Sequence, residues 1–330
     1  MTAPRILVLG GTEFVGRAVV DEALARGYDV TTLTRGTRHP LPGVTSLRGD
    51  RTTAGGLDAL GGAEWDVVVD TWSWAPKAVT DAATLLGPRA GHYVYVSSRS
   101  VYAVPVAGAD ESAALVDGDP SDAGFEDYAR AKAGGELGAV EGFGDRAILV
   151  RPGLILGPRE NIGRLPWWLG RIARGGEVAA PGPAGAALQF IDARDLAAFC
   201  LRAAASGGAG AFDAVSEPGH TTMSGLLELC REATGSNAVF RWLEPSAIAA
   251  AGVAPWIELP CWLPPGEDYE GMHHGDVSKA LAAGLAIRPA RETVFDTWEW
   301  LRSLGTEPPQ RADRPRVGLT AEREKLLLET

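Results

Sequence analysis

Two side chains set four residues apart carry the clearest chemistry in this sequence. Tyr128-Ala-Arg-Ala-Lys132 opens a helical stretch, and positions i and i+4 of a helix share a face. A phenol then lies beside an ammonium, whose charge favours the phenolate and lowers the phenol's pKa toward a range useful for proton transfer. The competing reading is an exposed helical pair with no role in chemistry. A second feature lies near the N-terminus, in Leu9-Gly-Gly-Thr-Glu-Phe-Val-Gly16. A turn this rich in glycine lets backbone N–H groups approach a pyrophosphate, and the start of a helix adds partial positive charge. The spacing is irregular, because Glu13 stands where a central glycine is usual. A carboxylate there is unfavourable to a diphosphate unless it is paired or turned away.

The elements that would position these groups alternate regularly. Ile6–Leu9 reads as a strand buried on both faces, and the apolar residues Phe14, Val15, Ala18, Val19, Ala23 and Leu24 then follow helix spacing. Further strands are expected at 29–34, 44–47, 66–71 and 93–98, with helices at 14–26, 54–60 and 75–87. Strand alternating with helix predicts an α/β protein with a doubly wound parallel sheet of the Rossmann type. The second strand runs into Arg35 with no acid after it. That favours NADP, since an arginine suits a 2′-phosphate and an acid suits a ribose 2′-OH, with NAD as the alternative. Asp50 and Thr71, at the ends of the third and fourth strands, are candidates to border the adenine and the pyrophosphate. A loop of some 25 residues follows Tyr102, and loops that long are usually lids or disordered segments.

Composition narrows the partners. The net charge of -11 speaks against nucleic acid or an anionic membrane. Cys200, Cys230 and Cys261 are odd in number and widely spaced, which reads as buried thiols in a reducing compartment. No apolar run is long enough to span a bilayer and no basic leader opens the chain, so a cytoplasmic protein is expected. His273-His274 lacks a neighbouring ligand cluster, so no metal is expected.

The glycine turn, Asp50, Ser98 at a strand end, Tyr128-x-x-x-Lys132 and Arg151-Pro-Gly-Leu-Ile-Leu-Gly-Pro158 occur in the order of the extended short-chain dehydrogenase/reductases. The chain thus resembles the NAD(P)-dependent epimerase/dehydratase family over about residues 5–300. Gly-Gly-Thr-x-Phe-Val-Gly is similar to an atypical bacterial branch, related to chloroplast stem-loop RNA-binding and isoflavone-reductase-like proteins. The resemblance implies Tyr128 as general acid/base, Lys132 holding the nicotinamide ribose, and Ser98 bonded to the substrate oxygen. It implies cofactor contacts at Gly10, Thr12, Phe14, Val15, Gly16, Arg35, Asp50, Arg51, Thr71 and Pro152, besides Tyr128 and Lys132. Trp72, Ser98, Arg99, Gly153, Leu154, Trp167 and Trp168 would border the substrate, and Trp74, Trp256 and Trp262 lie in segments near the same cleft. It further implies a homodimer through the helices after the fourth and fifth strands.

Two departures from the family pattern bear on the substrate. Arg99 and Ser100 stand where sugar dehydratases carry Asp-Glu. Leu154 stands where sugar-nucleotide epimerases place an asparagine on the substrate diphosphate, a hydrogen bond that an apolar residue cannot replace. The expected function is therefore an NADP(H)-dependent oxidoreductase acting on the ketone or alcohol of a small non-nucleotide metabolite. The alternatives are an epimerase with tightly retained NAD(P), and a non-catalytic dinucleotide- or RNA-binding protein. The expected organisation is a dinucleotide-binding domain at 1–158 to which 188–214 return, a smaller C-terminal α/β substrate domain from 159–187 and 215–304, and a tail at 305–330.

Overall fold

A computed structural model describes residues 3–124, 126–305, 307–308 and 310–329. Thr306, Pro309 and Thr330 of the tail, and Met1, Thr2 and Phe125 of the first expected domain, lie outside the described residues. The first half alternates as β1 (Arg5–Leu9), α1 (Phe14–Ala25), β2 (Asp29–Thr34), β3 (Thr45–Arg48), β4 (Trp65–Asp70), α2 (Lys77–Leu86), β5 (Ala90–Val96), α3 (Tyr128–Phe143) and β6 (Ala147–Pro152). There follow β7 (Leu154–Leu156), α4 (Arg164–Ala173), β8 (Glu177–Pro181), β9 (Ala187–Leu188), β10 (Phe190–Asp192), α5 (Ala193–Ala205) and β11 (Gly210–Ala214). The remainder comprises β12 (Thr221–Thr222), α6 (Met223–Thr234), β13 (Val239–Leu243), α7 (Pro245–Ala250), α8 (Glu267–His273), α9 (Ser278–Ala282), α10 (Ala290–Leu304) and α11 (Ala321–Leu328).

Seven parallel strands form the main sheet in the order β11-β6-β5-β4-β1-β2-β3. The order reverses direction beside β1, so the crevice beyond its C-terminal end is the switch point at which such sheets bind ligands. Side chains of β1 alternate across the sheet. Ile6 and Val8 enter a core shared with α1 and α5, while Leu7 and Leu9 enter one shared with α2 and α3. Burial on both faces is why these strands read as continuous apolar runs. A third core gathers Trp168, Leu169, Val178, Leu226 and Val294 from the C-terminal half, together with Leu319 and Leu327 from the tail.

The helix expected at 54–60 is only a 3-10 turn over Asp58–Leu60. Its first residues instead form a tight glycine bend, where a Cβ on Gly56 would stand 1.7 Å from the Asp50 carbonyl oxygen. The long loop after Tyr102 is docked over its described residues. Gly108 N–H donates to the His274 carbonyl at 2.6 Å and Asp276 N–H to the Ala109 carbonyl at 3.0 Å, while Thr80 Oγ1 donates to the Pro120 carbonyl at 2.7 Å. Each of these bonds satisfies a polar group that a wandering loop would leave to water.

Candidate active site

The glycine turn lies at the C-terminal end of β1. Gly10 has φ +116°, and a Cβ there would stand 2.6 Å from Thr71 Oγ1. A Cβ on Gly16 would stand 2.6 Å from the Gly11 nitrogen. Only glycine permits this packing of turn, α1 and the end of β4. Phe14 begins α1 at φ +31°, a region that costs a non-glycine residue conformational energy. Glu13 occupies the N-cap position, yet no side chain caps α1. By contrast, α3, α5, α6 and α11 are capped by Asp127, Asp192, Thr222 and Thr320. The first N–H groups of α1 are thus left for an anion, which fits a diphosphate.

Glu13 is turned from that helix end and paired. Arg38 donates to its Oε1 through Nη2 at 2.8 Å and Nε at 3.1 Å, and Asn161 Nδ2 donates to Oε2 at 2.9 Å. Thr12, Phe14 and Val15 are half-buried in the turn, with Phe14 and Val15 packed on the core beneath. Arg35 is exposed at the end of β2. Asp50 accepts from Thr52 N at 3.0 Å and Thr52 Oγ1 at 2.6 Å, bonds that hold its pKa low. Pro152 is buried where β6 ends beside Ala214.

Arg51, expected to touch the cofactor, is committed elsewhere. Its Nη1 and Nη2 pair with Asp70 at 2.7 and 2.8 Å, and its guanidinium stacks over Trp72 at 4.9 Å. Tyr93 Oη and Trp72 N–H donate to the same carboxylate at 2.5 and 2.9 Å. Asp70 is fully buried, and a charge in that position requires its counter-ion. Trp72 is half-buried beneath this arginine, and its indole donates to the Ala75 carbonyl at 3.0 Å.

Ser98, Tyr128 and Lys132 come together beyond β5. Ser98 follows the strand, and its Oγ accepts from Ser100 N at 3.1 Å. Lys132 is 1% exposed, with Nζ donating to the Trp72 and Val96 carbonyls at 2.5 and 2.6 Å and lying 4.7 Å from the Tyr95 ring centroid. Burial pulls its pKa down to about 7, against the pull of Asp70 and Glu136. Burial pushes the Tyr128 phenol up, while a hydrogen bond with Ser98 and the charges of Arg314, Arg164 and Arg311 pull it partway back. The charges bearing on this phenol are thus guanidinium groups, where the i, i+4 spacing predicts the Lys132 ammonium. Lys132 is held instead by the two carbonyls beneath it.

Several expected substrate residues face other surroundings. Trp168 is fully buried, its indole bonded to the Pro260 carbonyl at 2.8 Å. Leu154 is 2% exposed in β7, paired with Phe190 and packed in the third core, so its apolar character reflects packing and says nothing of a ligand. Arg99 turns inward, 3.3 Å from Asp213, and donates to Gln189 Oε1 and the Met272 and Gly271 carbonyls at 3.3, 3.2 and 3.0 Å. Its Nη1 and Nη2 are thus engaged within the protein and its charge is matched by the buried Asp213. Gly153 is half-buried against Val215, and Trp167 is half-buried against Gly318 of the tail. Burial raises Asp213 to about 6, and Tyr102 Oη donates to it at 2.7 Å. A pocket of about 440 Å³ opens next to Ser100 and Tyr102, walled by Val104, Val106, Trp256 and Met272.

The tail supplies residues that motif reading does not reach. It crosses the cleft and lays Arg311 and Arg314 over Trp74 at 5.1 and 4.9 Å, with Arg314 also 5.5 Å from the Tyr128 ring centroid. Arg311 N–H donates to the Asn161 carbonyl at 2.9 Å, so Asn161 joins the tail to Glu13. Arg164, first in α4, lies over Trp256 at 5.0 Å. The Pro- and Arg-rich composition of the tail is the available signal, though it does not say where the segment docks. Among the described residues, no group of three or more His, Cys, Asp or Glu gathers around a metal-sized space, and no helix is long and apolar enough to cross a membrane.

Comparison with solved structures agrees with this architecture. Bordetella bronchiseptica WbmH, solved with NAD+, is 20% identical, with 92% of this chain and 100% of that chain covered at a TM-score of 0.68. Thermotoga maritima UDP-glucose 4-epimerase, solved with UDP-glucose, is 18% identical over 92% of this chain and 100% of that one, TM-score 0.65. Thermus thermophilus UDP-glucose 4-epimerase, solved with NAD, is 20% identical over 90% and 99%, TM-score 0.64. No curated protein matches the sequence. A family model does match residues 6–213, more than half of the chain and the span that holds the glycine turn, Ser98, Tyr128 and Lys132. This chain belongs to the NAD dependent epimerase/dehydratase family.

Proposed function

We propose that the protein is an epimerase that retains NAD(P) and inverts one carbinol carbon of a sugar or related metabolite. The observation that carries this reading is the gathering of Ser98, Tyr128 and Lys132 in a cleft crossed by the chain's own tail, which suits a cofactor that stays bound. NAD(P), when bound, would supply the hydride acceptor and donor for the carbinol carbon. Gly10, Gly16 and the open N-terminus of α1 would hold its diphosphate, and exposed Arg35 would accommodate a 2′-phosphate. Tyr128 removes the hydroxyl proton and later restores it. Ser98 would align the substrate oxygen, and Lys132, fixed on two carbonyls, would hold the nicotinamide ribose. Two of the solved relatives are UDP-glucose 4-epimerases, one of them solved with UDP-glucose. The apolar pocket by Val104, Val106 and Met272 suits a less polar part of the substrate.

The test is the cofactor content of the purified protein, read after denaturation, together with turnover of Tyr128→Phe. The expected result is NAD(P) near one per chain, no net change in nicotinamide absorbance during turnover, and a loss of about 10²–10⁴-fold in the variant with cofactor still bound. Protein free of cofactor that consumes NADPH in step with product would favour the one-way reductase. A Phe variant of normal rate would remove Tyr128 from the chemistry.

A further inference from the structure

Three guanidinium groups converge on one side of this cleft in a chain whose net charge is -11. Arg311 and Arg314 arrive from the tail, and Arg164 from the start of α4. Their planes rest on aromatic faces, Trp74 for the first two and Trp256 for the third. Stacking fixes a guanidinium while leaving its N–H edge able to bond a ligand, which is the arrangement that favours arginine over lysine. The nearby acids are engaged in stated ways. Asp313 takes Nε and Nη2 of Arg311 at 3.0 and 2.7 Å. Glu160 accepts from the backbone N–H groups of Arg164 and Leu165 at 2.7 and 3.1 Å, so its carboxylate oxygens are occupied by main chain. Nε of Arg164 is buried and has no hydrogen-bond partner among the described residues. Glu13 is already matched by Arg38. The cluster therefore concentrates positive charge beside the phenol of Tyr128, with the buried Nε of Arg164 still to be satisfied.

We propose that Arg164, Arg311 and Arg314 form a clamp for an anionic group, a phosphate or carboxylate, carried by the substrate on the part that reacts at Tyr128. This rests on the epimerase reading for the identity of the reacting centre, though the anion site itself does not. The clamp is completed by the tail, so substrate binding and tail docking reinforce each other. A charge-assisted contact of this kind is worth about tenfold or more in affinity per arginine.

Protein loaded with NAD+ would be titrated with inorganic phosphate while tryptophan fluorescence is followed, since Trp74 and Trp256 carry the arginines. Saturable binding is expected, weakened about tenfold in Arg314→Ala and Arg311→Ala, less in Arg314→Lys, with NAD+ affinity changed by less than about threefold. Thermal melting within a few degrees of the parent confirms that the variants fold. Arg164→Gln, which keeps a polar side chain at the start of α4, provides a second route if a tail variant fails to fold. Phosphate binding that is absent, or indifferent to all these substitutions, overturns the clamp. If the loaded protein binds no phosphate and the substitutions weaken NAD+ and ADP-ribose alike, the arginines serve the cofactor diphosphate and the substrate assignment is overturned. Failure of the parent to bind NAD+ at all would strike the epimerase reading, while phosphate titration of the unloaded protein would still decide the anion site.

Discussion

Lys132 is buried as completely as a core leucine, and that has a measurable cost. Its folded pKa is about 7 against an ordinary value of 10.5, so between those values the unfolded chain binds the extra proton. Its contribution to stability therefore rises with pH from about 7 upward and is at its least below 7. Denaturant unfolding of the parent and Lys132→Met across pH 7 to 9.5 should show the parent gaining on the variant by up to about 1.4 kcal/mol per pH unit. A pH-independent difference would mean that the ammonium is charged in the fold throughout. Arg35→Asp addresses cofactor choice at the same scale. The expected outcome is a shift of preference from NADP toward NAD, measured as a ratio of dissociation constants, and an unchanged ratio would remove Arg35 from phosphate recognition. The positions of Tyr128, Lys132 and Ser98 are legible in the sequence because their spacing is local or falls at a strand end. Arg51 and Arg99 are not, because whether an arginine meets a ligand or a buried carboxylate depends on Asp70 and Asp213, which reach them only through the sheet.

Among the elements, α2 and α3 pack closely through a glycine. A Cβ on Gly138 would stand 2.1 Å from Thr80 Oγ1 and 3.0 Å from the Thr80 Cα. Gly138→Ala would force the helices apart and should lower stability by about 1–2 kcal/mol despite alanine's better helix propensity. In α4, Gly170 has nothing within 4 Å of the same position, so Gly170→Ala should raise stability by about 0.5–1 kcal/mol. Thermal or denaturant unfolding of the two variants reads both signs. The strand–helix alternation is legible because buried parallel strands are apolar throughout and amphipathic helices repeat at 3.6. The short segment after Asp50 reads as a helix and is not one, because its outcome turns on Gly56 packing under a carbonyl, which periodicity does not register. Leu154 shows the same limit, since the β7–β10 pairing that buries it joins residues 36 positions apart at Leu154 and Phe190.

At the scale of the whole molecule, Leu85 on α2 and Leu137 and Val140 on α3 remain 39%, 47% and 45% exposed. Apolar residues left outward on two adjoining helices favour the homodimer that the family resemblance implies. Light scattering is expected to give twice the chain mass for the parent and a folded monomer for Leu137→Glu, and a monomeric parent would leave this face without that role. The tail is fastened at both ends. Val294 and Thr297 of α10 are buried before it, and beyond the cleft Val317, Leu319 and Leu327 are buried while Glu324 pairs with Arg171. A span fixed at two abutments bows rather than swings. A ligand bound beneath it, as proposed above, is expected to exchange slowly and in a single phase, without the fast phase that a free-ended flap would allow.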